Sequence, residues 1–315
     1  MFLLAHLSDP HLAGWSLDSP IALFGKRVTG YLSWRLKRVK IHRASILERM
    51  VEDMKAAAPD HIAVTGDLTN ISLPQEFAAA AVWLKGLGAA EDVSVIPGNH
   101  DAYIPLPFDR SLGLWRDNMT GLMPGDGQSL SAAERPVGSA DDFPYVRQRG
   151  SVALIGASTA VPTRPFSAAG ELGAAQLERL AGILERLGEA GLFRVLMIHH
   201  PPYIDHGGQR KSLRDHEALR EILARKGVEL VLHGHTHVAC LGKVTTPAGH
   251  APVLGVPSAS AIKYGHKDVA AYHLMRIGKE SGHWRIAVSV RGWDQPSDRF
   301  VAAGEMSLTV SPRVC

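Results

Sequence analysis

Five short segments carry the residue types of metal and phosphoryl chemistry: Asp9-Pro10-His11, Gly66-Asp67, Gly98-Asn99-His100-Asp101, His199-His200-Pro201-Pro202 and Gly234-His235-Thr236-His237. Imidazole nitrogens combined with carboxylate and amide oxygens suit Mn, Fe, Zn or Co, rather than Ca or Mg alone. Asp9 and His11 stand two residues apart, so in extended backbone both face one way, and His235 and His237 repeat that spacing. Gly66, Gly98 and Gly234 permit a tight turn or a close backbone approach just before a ligand. Singly, each segment is a weak signal, since a lone Asp-x-His or Gly-Asn-His is more often a turn. Their weight is joint. A buried cluster of His and Asp with no cation would leave polar groups uncompensated, at a cost of several kcal/mol.

The elements that must position these residues are read from the apolar pattern. Short, mostly apolar runs at Phe2–Ser8, His61–Thr65, Val93–Ile96, Ser151–Ile155, Val195–Ile198 and Val228–Leu232 predict strands buried on both faces. Amphipathic stretches at Arg43–Ala57, Pro74–Leu87, Ala174–Leu187 and Ser212–Lys226 predict helices between them. The alternation is α/β. Four of the five ligand segments directly follow a strand candidate, and ligands of α/β sheets gather outside the carboxyl ends of strands. Beyond Gly234 the pattern becomes strand after strand: Val238–Val244, Val253–Val256, Ala270–Ile277 and Trp284–Val290. Residues 102–149, rich in Pro, Gly, Asp and Ser, read as a long loop or small cap, and loops of that length are commonly functional. The whole of 1–315 reads as a single domain with insertions at about 12–42 and 102–149.

Composition excludes several classes. With 45% hydrophobic and 21% charged residues, the 315-residue chain is an ordinary globular protein, not a coiled coil or a disordered tail. Two Cys make no disulfide framework and predict a reducing cytoplasm. The N-terminus lacks the basic region of a signal peptide, its apolar run breaks at His6, and cleavage there would remove Asp9 and His11. No run approaches the roughly 20 apolar residues of a membrane-spanning helix.

In this order, the five blocks resemble the calcineurin-like metallophosphoesterase superfamily. His-His-Pro-Pro and Gly-His-Thr-His are similar in particular to the branch of class III cyclic-nucleotide phosphodiesterases and glycerophosphodiesterases. The likeness runs from residue 3 to about 257, and Gly170-Glu171-Leu172 with Gln176-Leu177 resembles a connecting segment of that branch; residues 12–42 and 102–149 match it poorly. It implies a four-layer α/β/β/α sandwich of two mixed β-sheets, with the β-rich tail supplying most of the second sheet. It also implies two divalent metal ions. The first would be held by Asp9, His11, Asp67 and His237, and the second by Asp67, Asn99, His199 and His235, with Asp67 bridging. His200 would be structural, turned to the opposite face. A hydroxide between the ions would attack phosphorus in line with the leaving oxygen. His100 corresponds to the family's catalytic His, Asp101 is placed to orient that imidazole or to cap a turn, and Asn70 and His206 are candidates to reach the substrate.

The expected activity is a phosphodiesterase acting on a small or lipid-linked phosphoester. Alternatives of the same superfamily are a phosphomonoesterase or a nucleotide-sugar or lipid pyrophosphatase. A non-catalytic scaffold fits less well, because no ligand position is lost, and the His-x-His-x-Asp-His of zinc amide and lactam hydrolases is absent.

The net charge of +3 hides a local excess. Between Ser19 and Leu47 there is no acid, but there are seven bases: Lys26, Arg27, Arg35, Lys37, Arg38, Lys40 and Arg43. Phe24, Val28, Tyr31, Leu32, Leu36 and Val39 fall near helical spacing in the same stretch. Such a segment can pack beside the site and draw in an anionic substrate, or form a homo-oligomer contact. It can also lie on an anionic membrane surface, peripheral to the cytoplasm, through Lys26–Arg43. Nucleic acid is the least favoured partner, given the near-neutral total.

Overall fold

Along the described residues (1–13, 23, 25–123, 133–204 and 208–311 of this computed structural model) run fourteen strands and six α-helices. The first third holds β1 (Phe2–Leu7), α1 (Lys26–Ser33), a π-helical stretch at Trp34–Arg38, α2 (Val39–Ile41), α3 (Ala44–Ala56), β2 (His61–Val64), α4 (Pro74–Leu87) and β3 (Val93–Val95). Next come β4 (Thr120–Gly121), β5 (Arg135–Pro136), β6 (Tyr145–Arg149), β7 (Val152–Gly156), α5 (Ala174–Glu189), β8 (Phe193–Met197), α6 (His216–Lys226) and β9 (Leu230–His233). The tail holds β10 (Cys240–Thr246), β11 (Gly249–Gly255), β12 (Ala271–Glu280), β13 (His283–Asp294) and β14 (Arg299–Val310).

Two six-stranded mixed sheets form the centre, ordered β14-β13-β12-β1-β2-β3 and β10-β11-β9-β8-β7-β6. In the second sheet the two faces are read off the period of two. Leu154, Val195, Met197, Leu230 and Leu232 enter the core shared with the first sheet, while Ala153, Ile155, Leu196 and Val231 pack under α5 and α6. Phe193 meets Trp284 of the first sheet edge-on, with ring centroids 5.1 Å apart. Ile46, Met50 and Met54 of α3 and Phe77, Ala80 and Leu84 of α4 are buried in the core to which the first sheet contributes. The result is the expected four-layer α/β/β/α sandwich.

Two expectations are corrected, and one strand was not foreseen. The tail does not supply most of the second sheet. Only β10 and β11 join it, whereas β12, β13 and β14 extend the first sheet through antiparallel pairing of β12 with β1. Residues 102–149 are not wholly loop or cap, because Tyr145–Arg149 forms β6, the edge of the second sheet, paired antiparallel with β7. β14 falls outside every run singled out above. Its Ala, Gly, Glu and Ser residues leave one face of this edge strand exposed, so no apolar run announces it.

Three neighbouring parallel strands of the first sheet (β1, β2, β3) and two of the second (β8, β9) end on one side of the molecule. Each of the five ligand segments leaves one of these ends. At the other end of β8 and β9 lies a buried ion pair. Arg194 meets Glu229 through Nη2–Oε1 at 2.7 Å and Nε–Oε2 at 2.8 Å, and its Nη1 donates to the carbonyls of Leu184 and Lys226, both at 2.8 Å.

The basic stretch is helical over α1, the π-helical segment and α2. Arg27 and Gly30 are its buried side, with the Arg27 guanidinium donating to the carbonyls of Ile71 and Ser72. Val28, Leu32, Leu36 and Val39 face outward, at 39% to 67% exposure. Phe24 lies outside the described residues. Among the described residues no helix is long and apolar enough to cross a membrane.

Candidate metal centre

Sharp turns at the strand ends, not extended backbone, aim the ligand-type side chains. φ is 52° at Asp9, 40° at His11, 56° at Asp67, 65° at His235 and 54° at His237. A non-glycine residue in this left-handed region costs about 1–3 kcal/mol and persists only where its surroundings over-determine it. Those surroundings are visible. Asp9 N donates to the carbonyl of Gly66 at 3.0 Å, His11 N to that of Asp67 at 3.1 Å, and Leu12 N to that of Leu68 at 2.9 Å, lacing the first two turns together. Two glycines are there for close approach. A Cβ at Gly98 would collide with the Asp67 carboxylate, and one at Gly234 with Ser8 Oγ and the Asp9 carboxylate.

Two donor sets converge, sharing Asp67. In the first, His237 Nε2 lies 3.0 Å from Asp9 Oδ1 and 3.4 Å from His11 Nε2, which is itself 3.9 Å from Asp9 Oδ1 and from Asp67 Oδ2. In the second, His199 Nε2 lies 3.3 Å from Asp67 Oδ2 and 3.3 Å from Asn99 Oδ1, and His235 Nδ1 lies 2.8 Å from Asn99 Oδ1. Asp9, His11, Asp67, Asn99 and His199 are buried, while His235 and His237 are partly exposed.

The chemistry of this donor set fits divalent cations. Facing imidazole nitrogens such as His11 Nε2 and His237 Nε2 compete for a proton, whereas a cation between them accepts both lone pairs. Burial, followed by neighbouring His42, His100 and Arg38, holds His11 neutral by pushing its pKa well below the ordinary imidazole value. Burial also opposes a proton on His199, but the Asp67 carboxylate overrides it and pushes that group up to about 9. A cation taking the place of that proton satisfies the same carboxylate, so binding is coupled to proton release. His235 Nε2 is buried without a hydrogen-bond partner among the described residues.

His100 is fixed beside these sets. Its backbone N donates to Asp67 Oδ1 at 2.7 Å, its Nδ1 lies 2.5 Å from the carbonyl of Asn70, and Tyr103 stacks on it with centroids 5.7 Å apart. Burial, with Arg38 next, lowers its pKa to about 3.

Two side chains differ from expectation. Asp101 does not orient the His100 ring. Its carboxylate accepts from the backbone N–H of Thr69 (2.8 Å), Gly98 (2.9 Å) and Leu68 (3.3 Å), so it clamps the Asp67 turn to the Asn99 turn, the capping role that was the alternative. Burial, then Asp67, raises its pKa to about 7. His200 is not turned away. Its ring lies 4.3 Å from that of His235, while Nδ1 pairs with Thr159 Oγ1 at 2.8 Å and Nε2 with the carbonyl of Ala168 at 3.0 Å, so both nitrogens are committed to the fold.

Of the substrate candidates, Asn70 is buried. Its side-chain amide donates to the carbonyl of Leu12 at 3.0 Å and its own carbonyl takes the His100 ring, so it positions rather than reaches outward. His206 lies outside the described residues.

Four residues escaped the sequence reading of the site. Glu76, in the first turn of α4, accepts from the backbone N–H of Asn70, Ile71 and Leu73 at 2.7, 3.1 and 2.8 Å and so holds the turn that receives His100. Glu three residues into a helix was its only signal. His42 pairs through Nδ1 with Ser260 Oγ at 2.9 Å, its ring lies tilted against that of His11 with centroids 4.6 Å apart, and a donor atom of each of His11, His42 and His237 falls within one 4.8 Å cluster. Ser258 Oγ donates to the carbonyl of Asp9 at 2.6 Å. Arg38 lies with Nη1 3.0 Å from His100 Nδ1. His42 and Ser258 had no motif around them, and Arg38 was one base among seven.

Over 240 residues the chain is 29% identical to a probable cyclic nucleotide phosphodiesterase of Rhodococcus erythropolis, covering 74% of this chain and 64% of that relative's length. Its fold is similar to the crystal structure of a dimetal phosphatase from Danio rerio, with a TM-score of 0.58 at 14% identity and 99% of each chain covered. The profile of the calcineurin-like phosphoesterases matches residues 2–239, more than half of the chain, and the protein belongs to that family.

Proposed function

We propose that the protein is a dinuclear-metal-dependent phosphodiesterase. The observation that carries this reading is the pair of complete donor sets sharing Asp67 (Asp9, His11, Asp67 and His237; Asp67, Asn99, His199 and His235), with His100 beside them. Two divalent cations there supply Lewis acidity to the phosphoryl oxygens and a water of lowered pKa.

The chain's own groups do the rest. In both donor sets the facing oxygen of Asp67 is Oδ2, 3.9 Å from His11 Nε2 and 3.3 Å from His199 Nε2, while Oδ1 receives the His100 amide. Asn99 contributes a neutral oxygen, which leaves the centre net positive and so attractive to a phosphoryl anion. The Asn70 carbonyl holds a proton on His100 Nδ1, leaving Nε2 free to accept a proton from the attacking water and pass it to the leaving oxygen as the P–O bond breaks. Tyr103 and the Glu76-braced turn keep that ring in place. The diester preference is supported by the likeness to the Rhodococcus probable cyclic nucleotide phosphodiesterase and by the His-His-Pro-Pro and Gly-His-Thr-His blocks.

The test is hydrolysis of bis(p-nitrophenyl) phosphate and p-nitrophenyl phosphate with added Mn²⁺, Fe²⁺, Zn²⁺ or Co²⁺. Faster turnover of the diester is expected. Faster turnover of the monoester would replace the phosphodiesterase by a phosphomonoesterase, and no hydrolysis of either would remove the catalytic reading.

A further inference from the structure

We propose that the cleft beside the metal centre is a second anion site, and that the substrate carries a phosphoryl group besides the one cleaved. The inference rests on the hydrolase reading only for where the scissile phosphorus sits. The cleft is about 390 Å³, begins at Asn99 and His100, and is walled by Lys26, Arg38, Arg210 and Lys211 together with Tyr103 and Phe166. Among the described residues no Asp or Glu lines it.

The cations on its inner wall lack the carboxylate partners that several other guanidiniums of this chain have. Arg194 is paired with Glu229, Arg291 with Asp53, Arg214 with Glu171 and Arg116 with Asp109. Half-buried Arg38 has no carboxylate within ion-pair distance among the described residues. Among the described residues its guanidinium meets His100 Nδ1, at 3.0 Å. That nitrogen cannot serve both sides. The Asn70 carbonyl, 2.5 Å away, is only an acceptor and claims the Nδ1 proton, so the guanidinium faces an N–H instead of a lone pair. Lys26 is half-buried too, donates to Thr163 Oγ1 at 2.9 Å and lies 4.2 Å over the Tyr103 ring, again with no acid. Burial lowers its pKa to about 8, the mark of an ammonium that no carboxylate compensates.

Four cations around one cleft repel each other until an anion enters. A simple diester is a monoanion, and its charge is absorbed at the metal centre. It would leave these four groups unmatched. A tetrahedral phosphoryl dianion carried on the same molecule matches them, with Arg38 offering a planar fork and the lysines point charges. Exposed Phe166 adds a ring face at the same wall, which suits a planar group between the two phosphoryls.

The probe pair is adenosine 5′-monophosphate and adenosine 3′,5′-bisphosphate, titrated calorimetrically into the Mn²⁺-loaded protein, with and without inorganic phosphate. The bisphosphate is expected to bind roughly 10- to 100-fold more tightly. That preference should shrink at high salt, in an Arg210→Gln/Lys211→Gln variant, and separately in Lys26→Gln. Equal affinities, or no binding of either, overturn the second site. A preference that survives both variants overturns its assignment to this cleft. If inorganic phosphate binds together with the monophosphate and closes the gap, the cleft takes a free anion and the substrate class is overturned. Failure of the hydrolase reading is seen elsewhere: no turnover of any phosphoester, with the bisphosphate preference intact, removes the enzyme and leaves the site.

Discussion

Strands β8 and β9 carry buried charge at both ends, and the two ends are built differently. At their amino ends Arg194 and Glu229 make two short bonds to each other, and the remaining guanidinium capacity goes to two carbonyls. At their carboxyl ends His199 Nε2 and His235 Nδ1 converge with Asp67 and Asn99 oxygens on a common point, and on the far side of the His235 ring Nε2 has no hydrogen-bond partner among the described residues. The first cluster is complete in protein groups; the second asks for ions from solution. Burial and charge alone therefore do not mark a functional site. What marks it is whether the chain satisfies its own polar atoms.

The contrast breaks most readily at Asp67. Asp67→Asn is expected to lose metal and activity together, with kcat down on the order of 10³-fold or more. Metal content by mass spectrometry and turnover check this directly. Added Mn²⁺ should raise the melting temperature of the parent protein and leave that of the variant unchanged, since a ligand stabilises only the fold that binds it. Normal metal content in Asp67→Asn would deny it the shared position. His100→Asn removes no donor from either set. It should keep both ions while kcat falls roughly 10²- to 10³-fold, and metal loss in this variant would turn a catalytic residue into a ligand.

At the opposite end the expected loss is of stability. Glu229→Ala strands a buried guanidinium and should destabilise the fold by about 3–5 kcal/mol in urea titrations, with or without Mn²⁺. The folded fraction should keep its kcat. A metal-dependent loss would join the two clusters that the structure separates.

How much of this was legible follows from what each residue is constrained by. Asp9, His11, Asp67, Asn99, His199, His235 and His237 were readable because a metal accepts few residue types and the strand ends fix their spacing. Near-continuous apolar runs made β7, β8 and β9 readable for a similar reason: both their faces are buried. The left-handed turns were not, since an i, i+2 pair is equally compatible with a strand. β14 and the division of the tail between sheets escaped because an edge strand with one wet face carries little apolar signal, and pairing across the chain leaves no local trace. Asp101 was readable as important but not as a backbone clamp, because its partners lie on a turn about thirty residues earlier. In the basic stretch the charge was plain, while its direction was not. Arg27 turns into the fold, Arg38 and Lys26 toward the cleft, and Arg35 toward solvent.

Lys26 supplies the smallest effect and the sharpest separation of binding from folding. Burial lowers its pKa from the ordinary lysine range to about 8, so the ammonium is mostly charged at pH 7 and mostly neutral at pH 9. Attraction of a second phosphoryl group should weaken across that interval, raising KM a few-fold while kcat at the metal centre changes less. The stability sign is opposite. Between about pH 8 and the ordinary lysine value the unfolded chain holds more protons at this position than the folded one, so the contribution of Lys26 to stability rises with pH. Weaker binding at pH 9 is then not loss of fold. Lys26→Arg, which stays charged, should flatten the KM profile between pH 7 and 9, and Lys26→Gln should hold it at its high-pH level throughout. A profile unchanged in both variants assigns the pH dependence to another group and takes Lys26 out of the anion site.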